Sequence, residues 1–242
     1  MRMPLVASIA LLLAAGCEDP QLPVRDEPLI YVVLNQRAQA GSPPGQYGFV
    51  LETGSIAEPR YRDADRFTMQ RQRDGKPFLW RPTGRTGPTS GDYAGMGMNL
   101  GNYYLPDSPS SDGRLGADSI ASGERYELTV ETRGQVLRGA VTVPGTAVLS
   151  AAAVPGGTRV SWPRVAGAGG YSVEARGLTT AALQSDTAFV FSRQGSSPVT
   201  VTVKALDPQL FAFQTDERLE RAGLEQGYGV FGAITTASII IP

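Results

Sequence analysis

The sequence predicts an all-β protein, and three observations carry that expectation. Apolar stretches with a helical period are scarce, whereas short runs that alternate apolar and polar residues recur along the chain, which is the period of a half-buried strand. Turn formers separate these runs, with 29 glycines and 18 prolines in 242 residues. Two pairs of alternating runs also enclose short turn sequences, around Asp74-Gly75 and Arg133-Gly134-Gln135, which suit hairpins.

The elements follow in order. LIYVVLN (29–35) reads as the first strand and YGFVLET (47–53) as the second, joined by the turn-rich AQAGSPPGQ (38–46). RFTMQRQRDGKPFLWRP (66–82) is the clearest hairpin. Phe67 and Met69 alternate with polar residues on one arm, and Phe78 and Trp80 alternate on the other. Residues 83–118 are rich in glycine, serine, proline and aspartate and long for a connection inside a compact domain. This stretch carries Tyr93, Met96, Met98, Tyr103 and Tyr104. Leu105-Pro106 extends Tyr103-Tyr104 like a short edge strand, so these tyrosines are expected to fold back onto the domain. Glycines separate Tyr93, Met96 and Met98, which are expected to meet a partner. ERYELTVET (124–132) and VLRGAVTVP (136–144) form a second hairpin, with Tyr126, Leu128 and Val130 on one face and Glu127, Thr129 and Glu131 on the other.

A second β-sandwich is expected from about residue 146. GTRVSWPRVAGAGGYSVEARG (157–177) holds two strands about a Gly-Ala loop, and DTAFVFS (186–192) and SPVTVTVKALDP (197–208) supply two more. Trp162, Tyr171, Val201 and Val203 are its expected core. The pattern S-W-P, then G-Y-S-V-E, then V-T-V-K-A resembles a fibronectin type III domain. That resemblance implies a fold and no activity. Residues 206–233 exceed the short loop such a domain has before its last strand. Within them TDERLERAGL (215–224) predicts a short helix, with Thr215 as cap, acidic residues in the first turn and Gly223 as stop. GYGVFGA (227–233) reads as glycines allowing close backbone packing. It lacks the Gly-Lys-Ser/Thr ending of a phosphate loop. TTASIII (235–241) is the last strand. The expected organisation is a signal over 1–16, a tether over 17–28, one β-sandwich over 29–145 and the fibronectin type III-like sandwich over 146–242.

The opening residues set the expected address. Residues 4–15, PLVASIALLLAA, carry no charge and follow Arg2. They are shorter than the roughly 20 apolar residues of a spanning helix and suit a secretory signal core. Ala14-Ala15-Gly16-Cys17 then resembles the bacterial lipobox, although Ala14 stands where that signal prefers leucine, which here is Leu13. The resemblance implies cleavage before Cys17, a diacylglycerol on its thiol and acylation of the new amino group. More than one acyl chain gives stable anchoring. EDPQLPVRDEP (18–28) is acidic, proline-rich and aperiodic, and reads as the tether.

Composition excludes several chemistries. Histidine is absent, which removes the commonest general base and zinc ligand and every Ser-His-Asp or Cys-His arrangement. The single cysteine is assigned to lipid, leaving none for disulfides or thiolate metal sites. Formal net charge is −1 with no basic block, so no nucleic-acid partner is expected. No cofactor and no metal are expected either: Asp63, Asp65, Asp107, Asp112 and Asp118 lack the spacing of an EF-hand loop. Tyr103, Tyr104 and Trp80 suit either an aromatic platform for a glycan or peptide, or a cover for the sandwich edge.

Four features in order resemble the DUF4249-type envelope lipoproteins. They are the lipobox with C-E-D-P, an early β-domain with a D-G hairpin, S-G-E-R-Y-E-L-T-V followed by V-T-V-P, and the late G-Y-G-V-F-G-A. The resemblance implies a membrane-anchored lipoprotein of the cell envelope, at the periplasmic or surface face of the outer membrane, that partners outer-membrane transporters. It offers no catalytic residue. The two functional expectations are a non-enzymatic binding or assembly protein, and a carbohydrate- or peptidoglycan-active enzyme working through two carboxylates.

Overall fold

The computed structural model describes residues 28–36, 46–51, 64–82, 103–176, 181–192, 198–216 and 218–242. The protein is all-β, with one short α-helix among the described residues. The first half supplies β1 (Leu29–Gln36), β2 (Gln46–Leu51), β3 (Arg66–Arg71), β4 (Arg81–Pro82), β5 (Tyr103–Leu105), β6 (Arg125–Thr132) and β7 (Gln135–Thr142). The second half supplies β8 (Ser150–Val154), β9 (Gly157–Ser161), β10 (Gly170–Arg176), β11 (Ala181–Gln184), β12 (Ala188–Phe191) and β13 (Val199–Leu206). Helix α1 (Pro208–Thr215), β14 (Arg221–Ala222) and the long β15 (Tyr228–Ile241) follow.

The described strands form three sheets. A nine-stranded sheet has the order β11-β10-β13-β15-β1-β2-β5-β4, with β14 also paired to β15, and two three-stranded sheets have the orders β12-β9-β8 and β3-β6-β7. Strand β15 joins the two halves. Its first part pairs in parallel with β1, from Leu29↔Tyr228 to Gln36↔Thr235. Its second part pairs antiparallel with β13, from Leu206↔Ile234 to Val199↔Ile241. The sequence predicts a glycine-packed stretch at 227–233 and a separate strand at 235–241; the two are one continuous strand.

Alternation along β15 distributes its side chains among three cores. Phe231 and Ala233 join Ile30, Val32, Leu34, Leu105, Tyr126, Leu128 and Val130 beneath β3-β6-β7. Ala237, Ile239 and Ile241 join Val160, Trp162, Tyr171, Val173, Val201 and Val203 beneath β12-β9-β8. Val230 and Ile234 point the other way, to a smaller cluster with Leu206, Leu210 and Ala222 under α1. Both three-stranded sheets therefore lie on one face of the large sheet and the helix lies on the other. In the second half, β8-β9-β12 packs against β11-β10-β13-β15, and the residues expected in the core there are buried. Trp162 is 4% exposed, Tyr171 2%, and Val201 and Val203 are fully buried.

The helix lies earlier than expected, at Pro208–Thr215 and not 215–224. Asp207 is its N-cap, with the side chain accepting from the Gln209 and Leu210 amides, and Pro208 follows with its φ preset for the first turn. Leu210 supplies the buried contact. The charged run after Thr215 has helical propensity but little to bury, and tertiary packing outweighs propensity in a segment this short. Room for the helix comes from glycines below it. A Cβ at Gly232 would meet Leu210 Cβ at 2.8 Å, and one at Gly170 would meet the Phe211 ring.

Candidate functional site

The hairpin of β3 follows the sequence. Phe78 N donates to the Met69 carbonyl at 2.8 Å and Arg71 N to the Lys76 carbonyl at 3.0 Å, closing a turn in which Gly75 takes φ +65°. Arg71 grips Asp74 through both carboxylate oxygens, at 3.1 and 2.6 Å. The hydrogen bonds from Arg71 hold the Asp74 carboxyl at about 2, well below its ordinary value. Hairpin β6-β7 turns at Arg133-Gly134, with Thr132 paired to Gln135. Tyr126, Leu128 and Val130 face the core as expected.

The opposite face of β3-β6-β7 is open to solvent and holds a groove of about 340 Å³. Its lining comes from Arg66, Thr68, Met69, Gln70 and Pro77 of the first hairpin, Glu127, Thr129 and Glu131 of β6, and Arg138 of β7. Register explains the grouping. Arg66 sits opposite Glu131, Thr68 opposite Thr129, and Gln70 opposite Glu127, while Arg138 sits opposite Thr129 on the far side. Side chains at paired positions point to one face. Arg66 Nη1 donates to Glu131 at 3.5 Å and Gln70 Nε2 to Glu127 at 3.0 Å. The floor is thus a grid of hydroxyl, amide, guanidinium and carboxylate groups with balanced charge. It can take a hydrogen-bonding ligand at modest desolvation cost.

The two carboxylates in this groove do not form a hydrolytic pair. Glu127 and Glu131 are four residues apart on one strand, roughly 13 Å at about 3.3 Å per residue. Glycosidase carboxyl groups stand about 5–9.5 Å apart. Each is also turned straight across to its own partner on β3. Among the described residues, no group of three or more acidic or cysteine side chains is placed to hold a metal ion. Asp112 is committed to Arg114 and Ser110, whose hydrogen bonds hold its carboxyl far below the ordinary value.

The aromatic residues of interest turn inward. Tyr103 is 4% exposed and stacks on Phe67 at 4.4 Å, and Trp80, 8% exposed, lies 5.1 Å from the same ring. The Tyr103 hydroxyl accepts from the Ala64 amide at 2.6 Å. Tyr103 folds back as the sequence predicts and with Trp80 covers the core instead of forming a platform, whereas Tyr104 is only half-buried. The expected edge strand is an inner one: β5 lies between β2 and β4. Cys17, Tyr93, Met96 and Met98 lie outside the described residues, as do Asp63, the signal and the tether up to residue 27.

The sequence did not single out Asp207. This residue is 1% exposed. Besides capping α1, its carboxylate accepts from the Ala233 amide at 2.6 Å, and its own amide donates to the Ala233 carbonyl at 2.9 Å. Burial raises its pKa, against the hydrogen bonds from Ala233, Gln209 and Leu210 that lower it. The signal was present as an Asp-Pro pair ahead of an apolar run, an N-cap with proline at the first helical position. No helix among the described residues is long and apolar enough to cross a membrane. No family model and no curated protein match the sequence.

Proposed function

We propose that the protein is a lipid-anchored envelope lipoprotein of the outer membrane, facing the periplasm or the cell surface, that binds or helps assemble other envelope proteins without catalysing a reaction. The observation that carries this reading is the sequence signal at Ala14-Ala15-Gly16-Cys17 behind a short uncharged apolar run. The rest of the molecule agrees with a binding role. It presents a broad β scaffold, an open charge-balanced groove and no carboxylate pair at hydrolytic spacing within that groove.

Two experiments test the parts of the proposal separately. Cys17→Ser leaves the precursor unprocessed by the lipoprotein peptidase or releases the protein in soluble form, read by membrane fractionation and mass of the product. Normal processing with membrane retention overturns the anchor. Replacing Tyr93, Met96 and Met98 together with serine leaves the melting temperature unchanged while co-purifying membrane proteins, a transporter among them, are lost. A large drop in melting temperature, or full recovery of those proteins, removes that segment as the contact surface.

A further inference from the structure

We propose that the parallel pairing of β1 with β15 is a mechanical clamp: tension arriving along the segment that leads into Leu29 is taken in shear and passed along β15 toward Ile241. The use of such a clamp in a cell rests on the membrane-tether reading above, whereas the mechanics do not.

The argument starts from strand direction. β1 and β15 run parallel from Leu29↔Tyr228 to Gln36↔Thr235. The entry end of β1 and the exit end of β15 therefore lie at opposite ends of their ladder. Tension between those ends slides one strand along the other, and every inter-strand hydrogen bond is strained at once. Antiparallel neighbours behave differently. Leu29 sits opposite Leu51, and Val199 opposite Ile241, so tension between paired ends opens such ladders one bond at a time. The lifetime of a protein under force follows its unfolding barrier, and simultaneous rupture presents the higher one.

Three features hold the β1–β15 register. Ile30, Val32 and Leu34 are fully buried, and a slip of one residue turns all three out of the core. Gly229, at φ +96°, lies so close to Ile30 that a Cβ there would overlap the Ile30 carbonyl oxygen. Along the exit path, β15 is held by its ladder with β13, by Asp207 Oδ2 on the Ala233 amide at 2.6 Å and by Thr235 Oγ1 on the Gly145 carbonyl at 2.5 Å. The load leaving β1 is thus spread into the second half and not concentrated on one loop.

The test is constant-force optical trapping of the purified, unacylated protein with handles in two arrangements. The first pulls between Cys17 and a cysteine introduced by Pro242→Cys, which loads β1 and β15 in shear. The second, in a Cys17→Ser background, pulls between cysteines introduced by Pro198→Cys and Pro242→Cys. These positions adjoin the Val199↔Ile241 pair, so the pull opens β13 from β15 at paired ends. At one force the first arrangement survives about tenfold longer or more, and then opens in a single step that frees the chain from β1 through β15. A smaller advantage, or an early small step that frees β1 alone, overturns the clamp. Either result is independent of Cys17 acylation, which the fractionation experiment reads by itself.

Discussion

Trp162→Ala lowers the free energy of unfolding by about 3–5 kcal/mol in denaturant titration. The indole sits just beyond β9, 4% exposed, in the core shared by β9, β10, β13 and β15. Its ring meets Tyr171 edge-on at 5.2 Å. Tyr171 is fixed by its own hydroxyl, which accepts from the Val165 amide at 2.9 Å, so it cannot move to fill the space. The cavity left by the truncation stays open, and a cavity that cannot collapse is the costly kind. Trp162→Phe, which keeps an aromatic edge against Tyr171, recovers a substantial part of the loss. A cost below about 1 kcal/mol for the alanine variant would mean that the indole is not buried.

Asp207→Ala costs about 3–4 kcal/mol, because it leaves two buried amides, those of Leu210 and Ala233, without an acceptor at about 1–3 kcal/mol each. Asp207→Asn recovers part of this: its amide oxygen can cap α1, but its NH₂ then faces the Ala233 N–H, donor against donor. The two variants also separate the pH dependence. The native pKa of Asp207 is raised, so the folded state holds this proton more tightly than the unfolded chain does. The stability linked to its protonation is full below the ordinary carboxyl value and is lost as pH rises through the raised one. Wild type therefore loses stability relative to Asp207→Asn as pH rises through that window, read by unfolding titrations at a series of pH values. A difference that stays flat across it would show that the native carboxyl is not raised.

Much of the fold is legible in the sequence because it rests on local rules. Asp74-Gly75 and Arg133-Gly134 sit where two alternating arms must reverse, and each arm then sends one set of side chains inward, Phe78 and Met69 in one hairpin, Tyr126 and Leu128 in the other. Trp162, Tyr171, Val201 and Val203 follow from the same period of two. The features that escape a sequence reading depend on distant partners. The continuity of β15 is hidden because glycine reads as an interruption, whereas Gly229 and Gly232 are required by Ile30 and Leu210, residues remote in sequence. The helix departs from its expected place because TDERLERAGL carries capping and charge signals that compete with the Asp207-Pro208 cap, and burial of Leu210 decides between them. The groove combines residues drawn from 66–77, 127–131 and 138, and no short window of the sequence contains them all.

Sharing one strand between the two halves also sets a timetable for synthesis. Phe231 and Ala233 complete the core beneath β3-β6-β7, yet both are made after every strand they close over. The pairing of β1 with β15 spans almost the whole described length. Contacts so distant form slowly. The central sheet of such a chain is complete only once β15 has been made, because both β1 and β13 pair with it.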